Sequence, residues 1–148
     1  MKMMDEALIQ AKKAYDNNEI PVGAIISLNG KIIVKAHNTV EINRDCTCHA
    51  EINAIKDACK VLGRKTLEDC EMYVSLEPCA MCAGAIINAR IKRLYVGAME
   101  PKTGACASKA ELMKPNLFNH SVETYYGIGE EESSELMKDF FKDKRKKD

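Results

Sequence analysis

Three side chains in this sequence have the types and spacing of a metal site, and a fourth is placed to move protons. Cys79 and Cys82 follow Pro78, which fixes φ and needs no backbone donor, so it suits the first turn of a helix. The spacing predicts a helix beginning at Pro78 with both thiols on one face near its N-terminus. Free N–H groups and the positive end of the helix dipole favour thiolate there. A thiolate pair is a soft-metal site, and zinc is its default occupant. His49 supplies a third ligand, and Glu51 stands two residues beyond it. Catalytic zinc commonly keeps three protein ligands and an exchangeable water whose pKa falls to about 7. A carboxylate beside that water can take its proton and return it to a ring nitrogen and then to a leaving group. These four residues imply a zinc hydrolase.

A purely structural zinc would need a fourth protein ligand, drawn from Cys46 or Cys48. Cys48 directly precedes His49, so its side chain points elsewhere, as a small buried residue. Cys59 falls on the apolar face of a helix and Cys70 at a strand start, where packing is the ordinary role of a cysteine. Cys106 sits in a loop without an evident partner. His37 and His120 are expected as capping or core histidines.

The elements that must carry these residues are legible from periodicity. Met4, Leu8, Ala11 and Tyr15 mark an opening helix ending near Asn17-Asn18. Val22 to Leu28 and Lys31 to Ala36 are apolar, β-branched runs joined by Asn29-Gly30, a signal for a type I′ hairpin turn. Ile52, Ile55, Cys59 and Leu62 form one face of a second helix, closed by Gly63. Cys70 to Leu76 reads as a strand feeding the helix at Pro78, whose Ala80, Ala83, Gly84 and Ala85 invite close packing. Arg93 to Gly97 is a strand, Glu100 to Ser108 a polar loop, Ala110 to Lys114 a short helix and Val122 to Gly127 another strand. A last helix runs from Glu130, with the stripe Leu136, Met137, Phe140 and Phe141 and a basic end from Lys142 to Lys147. The alternation predicts an α/β fold of three layers, α/β/α, with a mixed sheet of about five strands and helices on both faces.

The 148 residues are expected to form a single domain, residues 1–148. Zero net charge and 46% hydrophobic residues fit an ordinary globular protein and give no global attraction to nucleic acid. No apolar run reaches membrane-spanning length and no signal-peptide core opens the chain. Seven cysteines do not make an even disulfide framework. A cytoplasmic location is the expectation.

His49-Ala50-Glu51 together with Pro78-Cys79-Ala80-Met81-Cys82 is the signature of the cytidine-deaminase-like zinc deaminases. Ile20-Pro21-Val22-Gly23-Ala24, His37-Asn38, Thr47, Leu76-Glu77, Cys82-Ala83-Gly84-Ala85, Lys102-Thr103-Gly104, Phe118-Asn119-His120 and the Phe140-Phe141 basic ending extend the likeness. In order and over nearly the whole chain, they resemble the bacterial tRNA-specific adenosine deaminases. The resemblance implies one Zn2+ per subunit on His49, Cys79 and Cys82, with Glu51 as proton shuttle. It implies that Asn38 recognises the purine ring, that the Ala50 N–H faces the oxygen on the reacting carbon, and that Pro21 and Val22 line the base pocket. Lys102 and the Thr103-Gly104 turn would follow the RNA backbone, and the C-terminal helix would flank a tRNA anticodon stem-loop. The family's homodimer, with both subunits shaping each site, is expected too. Together these imply deamination of adenosine to inosine at the wobble position, 34, of the anticodon loop.

Three departures from the family pattern stand out. Glu100 replaces the usual Asp and changes the reach toward a ribose hydroxyl. Cys46 stands where Pro is frequent and loosens the approach to His49. Cys48 replaces Ala and adds an oxidisable thiol near the metal. Two other readings remain open: a deaminase of free guanine or cytosine, and a non-catalytic zinc module that binds RNA. The second leaves the non-ligand carboxylate of Glu51 without a purpose.

Overall fold

A computed structural model describes residues 2–147, with side chains from Met3 to Lys144. The elements run α1 (Lys2–Asp16), β1 (Gly23–Leu28), β2 (Lys31–His37), α2 (Val40–Asn43), α3 (Ala50–Leu62), β3 (Cys70–Leu76), α4 (Ala80–Asn88), β4 (Arg93–Ala98), β5 (Glu123–Tyr125) and α5 (Glu130–Lys147). The five strands form one mixed sheet in the order β2-β1-β3-β4-β5. β1 is antiparallel to both β2 and β3, whereas β3–β4 and β4–β5 are parallel. The parallel pair β3–β4 is bridged by α4, as a crossover requires.

Period-two alternation divides the sheet between two apolar layers. Ala24, Ile26, Met72, Val74, Leu94 and Val96 join Ala54 and Ala58 of α3 and Ile86 of α4 on one face. Ile25 and Tyr73 meet Met4, Ala7 and Leu8 of α1 on the other, with Tyr95 and α5's Leu136 against them. Each large aliphatic chain buried this way stabilises the fold by roughly 1.5–3 kcal/mol. Gly23 permits the tightest contact between layers: a Cβ there would overlap the Ala7 carbonyl oxygen and lie 2.5 Å from the Ala11 nitrogen.

The hairpin turn has the expected geometry, with Asn29 at φ 52° and Gly30 at φ 78°. Three local expectations change. Residues 110–114 are not helical, because their N–H groups are committed elsewhere: Ala110 donates to Gly104 O and Leu112 to Ala105 O. The strand expected over 122–127 contracts to Glu123–Tyr125 and is followed by Gly127 at φ 82°. The helix expected from Pro78 begins at Ala80, with Cys79 as its extended N-cap residue. The short α2 is an addition to the expected elements, since four residues carry no periodic signal.

α5 is fastened at both ends of its described length. Ser133, fully buried, donates to the Ser75 carbonyl on β3. Phe140 packs edge-on against Tyr15 of α1, with ring centroids 5.7 Å apart. The basic residues after Lys144 have side chains outside the described set.

Candidate active site

The N-termini of α3 and α4 converge on one point. His49 is the N-cap residue of α3, in extended conformation at φ −71°, and Cys79 holds the same position on α4. His49 Nδ1 lies 3.4 Å from Cys82 Sγ and 3.7 Å from Cys79 Sγ. The three donor atoms all lie within 4.8 Å of one another. A tetrahedral zinc with ordinary Zn–N and Zn–S bonds puts such N···S edges at about 3.6 Å. The donor set and its size therefore fit zinc. Two helix dipoles point their positive ends at the cluster and favour anionic ligands.

Charge follows that geometry. The neighbouring Cys82 thiol lowers the Cys79 thiol to about 4, against burial and with help from the His49 ring. Cys79 in turn raises His49, while burial pulls it down. Glu51, in the first turn of α3 and only 3% exposed, is pushed by burial up to about 7, against its own backbone N–H and His49. A carboxyl poised there exchanges protons readily at neutral pH.

The cluster opens into a cleft of about 790 Å³, within the usual range for ligand sites. Asn38, Val22, Glu100 and Lys102 line it beside His49, Glu51 and Cys79. Cys82 is fully buried behind them. Pro21, expected on the wall, is buried below the surface, and Ile20 and Val22 on either side face the cleft instead. The Ala50 side chain is likewise fully buried; its N–H, in the first turn of α3, has no acceptor within the helix. The outer wall is formed by the loop after β4, with Lys102 and Thr103, and by α5, with Met137, Lys138, Phe141 and Lys144. That rim is cationic and aromatic.

Two buried carboxylates whose role has no local sequence signature hold this site together. Glu77, between β3 and the metal ligands, takes N–H donors from Glu100, Cys106, Ala107 and Ser108, and the Ser108 hydroxyl. Burial would raise it, but these bonds win and hold it below the usual carboxylate range. The loop carrying Glu100 and Lys102 is thus wrapped around one side chain. Glu19, 1% exposed, accepts from the Asn38 amide and from the first N–H groups of α2. No local pattern distinguishes it within Asn17-Asn18-Glu19. For Glu77 the one available signal is its place, an acidic residue between an apolar strand and a metal-ligand turn.

The remaining cysteines and histidines lie outside the cluster. Cys48 is buried and its sulfur accepts from Asn43 Nδ2 at 3.6 Å. Cys46 is exposed, and the loop that lacks its proline is closed instead by Asp45 Oδ1, which accepts from Thr47 N at 2.8 Å and Thr47 Oγ1 at 2.7 Å. Cys59 packs against the core and Cys70 and Cys106 are buried. His37 pairs with Gln10, and His120 Nε2 lies 2.9 Å from Ile91 O. Glu100 Oε1 accepts from its own loop, the Lys102 N–H at 3.0 Å. No helix among the described residues is long and apolar enough to cross a membrane.

Residues 1–145 match the family model of the MafB19-like deaminases. The chain is similar to a tRNA-specific adenosine deaminase of Rickettsia typhi, 48% identical over 144 residues, covering 96% of this chain and 97% of the relative. Among solved structures, a tRNA:A34 deaminase studied for A-to-I editing at the wobble position superposes with a TM-score of 0.88 at 41% identity, covering 91% of this chain and 98% of that one. A guanine deaminase from Bacillus subtilis matches with a TM-score of 0.65 at 41% identity, over 66% of this chain and 63% of its own.

Proposed function

The chain belongs to the tRNA-specific adenosine deaminases, and from that premise we propose that it converts adenosine to inosine at the wobble position, 34, of tRNA anticodon loops. The observation that carries the reading is the buried Glu51 carboxyl beside a His49, Cys79 and Cys82 cluster, at the floor of a cleft with a cationic, aromatic rim. Those three residues would hold one Zn2+ per subunit, which supplies Lewis acidity to activate water. Glu51 accepts a proton from the attacking water and delivers it to N1 of the base. C6 gains the water oxygen as a hydroxyl; Glu51 takes the proton of that hydroxyl and passes it to the amine, the C6–N bond breaks and ammonia leaves, so adenosine and water become inosine and ammonia. The Ala50 N–H faces the oxygen on C6. Asn38 holds the purine ring, with Val22 against the base and Pro21 supporting that wall from behind.

A base inside a duplex cannot reach such a floor, so the substrate is a nucleotide unstacked from a single-stranded loop. Glu100, on the cleft wall, would accept a ribose hydroxyl. Lys102, Lys138 and Lys144 suit backbone phosphates, and Phe141 offers a face on which a flanking base can stack. Free guanine needs no such rim, although the guanine deaminase likeness keeps that activity as the second reading. A non-catalytic RNA-binding module would not bury a carboxyl beside the cluster.

The protein acts as one domain over residues 1–148 in the cytoplasm, where tRNA is found. A homodimer suits a separate groove beside α4, lined by Gly84, Ile87, Leu112, Leu117 and Phe118, where Gly84 has open space at its Cβ position and Leu117 and Phe118 are half exposed. The test is incubation of the purified protein with an anticodon stem-loop and, separately, with guanine, cytosine and adenosine, following ammonia and inosine. Inosine in the stem-loop is the expected product, and Glu51→Gln should retain zinc while losing about three orders of magnitude in turnover, as loss of a general acid–base group does. Turnover of guanine alone would overturn the assignment.

A further inference from the structure

We propose that Glu19 is a positioning residue that fixes the side-chain amide of Asn38, so that the amide oxygen is what the substrate nucleoside meets; this rests on the adenosine-deaminase reading of the cleft. Glu19 lies in the turn after α1. Its Oε1 accepts from Asn38 Nδ2 at 3.3 Å and Glu41 N at 3.0 Å, and its Oε2 from Ile42 N at 2.8 Å. The two backbone donors at the start of α2 pin the carboxylate in place. A carboxylate only accepts, and a side-chain amide has one accepting and one donating end. Flipping Asn38 would therefore set its oxygen against Glu19 Oε1, acceptor against acceptor.

The rest of Asn38 is equally constrained. Its N–H donates to Val22 O at 3.1 Å. Its chain neighbours are held by Asn53 Nδ2, which donates to His37 O at 3.0 Å and to Thr39 Oγ1 at 2.9 Å. Amide orientation is the freedom left, and Glu19 removes it. Among the described residues no donor reaches Asn38 Oδ1, yet the one buried side-chain N or O atom left unpaired is Ser27 Oγ. The Asn38 oxygen is thus not sealed inside the protein but open to the cleft that Asn38 lines. Its match is a hydrogen-bond donor on the nucleoside, the exocyclic amine or a ribose hydroxyl, since the ring nitrogens of adenine accept. Without Glu19 the amide could turn either end inward, and selection for a donor would be lost.

The test uses the full chain with its metal, in five forms besides wild type: Glu19→Gln, Asn38→Ala, their combination, Asn38→Asp, and Asn38→Asp with Glu19→Gln. Measured are kcat/KM on an anticodon stem-loop, hydrogen exchange of the Asn38 side-chain amide by NMR, Tm and metal content. Glu19→Gln should lower kcat/KM about 10-fold in wild type but less than about 2-fold in the Asn38→Ala background, the signature of action through Asn38. It should also speed exchange of the Asn38 amide about 10-fold, metal content unchanged. Asn38→Asp faces two carboxylates and should lose about 100-fold. Adding Glu19→Gln should recover at least about 10-fold, since the introduced amide then donates to the introduced carboxylate and an oxygen still faces the cleft. Equal losses in both backgrounds, or no recovery in the swapped pair, would reduce Glu19 to a support for α2. If wild type leaves the stem-loop unconverted, the adenosine reading falls, and the amide exchange still decides whether Glu19 holds Asn38. Should Glu19→Gln fold poorly, Glu19→Asp withdraws the same acceptor by one methylene; unchanged exchange in it would overturn the proposal.

Discussion

Replacing Glu77 with Gln tests whether one carboxylate organises the substrate side of the cleft. Four backbone N–H groups reach Glu77 at distances between 2.9 and 3.2 Å, and the Ser108 hydroxyl is a fifth donor. Gln keeps one accepting oxygen. Turned toward residues 106–108, it retains three N–H partners but sets its NH2 against the Glu100 N–H. Stranding that donor costs about 1–3 kcal/mol, and loss of charge assistance at the other three adds roughly 0.5–1 kcal/mol each. The side chain is 3% exposed, so solvent screening removes little, and the total is about 2.5–6 kcal/mol. Gly104 leaves no slack for rearrangement, because its Cα sits against the same carboxylate and its Cβ would overlap Glu77 Oε1. Hydrogen exchange is the direct assay: protection of the Cys106, Ala107 and Ser108 amides should fall by about 100-fold or more. KM for the stem-loop should rise as Glu100, Lys102 and Thr103 lose their anchor, while metal content stays intact. Protection within about threefold of wild type at about the same KM would refute the reasoning.

Other consequences can be checked separately. Cys82→Ala removes a fully buried donor and should cut zinc well below about one per chain; full occupancy in a metal assay would remove Cys82 from the ligand set. His37 is held below its ordinary value by burial and then by Lys13, so the unfolded chain takes up that proton first as pH falls. Its contribution is present above the unfolded value of about 6.5 and is lost as pH falls from there through the lower folded value; the denaturant midpoint should decline as pH falls below about 6.5, less steeply in His37→Gln. An equal slope in the variant would contradict the assignment. Lys138→Gln and Lys144→Gln should each weaken stem-loop binding and reduce its salt dependence by about 0.7 in log–log slope. An unchanged slope would take the rim lysines off the RNA.

What the sequence disclosed was local. The Cys79 and Cys82 pair, the Asn29-Gly30 turn and the helical stripes each depend on residues a few positions apart, whereas His49, 30 positions from Cys79, was tied to them by the deaminase signature. Glu19 and Glu77 were opaque because their importance comes from partners 19 to 31 positions away, which no local pattern encodes. The stretch after Lys109 misled for a different reason: its N–H groups reach the carbonyls of Gly104 and Ala105, six and seven residues back, in place of the helical partner four residues back. Pro21 shows a subtler limit: it is buried, while its neighbours Ile20 and Val22 line the cleft, a distinction of one residue outside any strand that periodicity does not resolve.

The two margins of the sheet bear on how copies of this chain can meet. β2 exposes Lys31 and Lys35 along its length, and β5 is only three residues long. Both edges are poor templates for another strand, since lysines repel an incoming backbone and a short ladder offers few bonds. Strand-by-strand growth, the usual route to fibrous aggregates, is discouraged at each side. The hydrogen-bonded sheet is thereby a closed unit whose strand pairing is settled within one polypeptide.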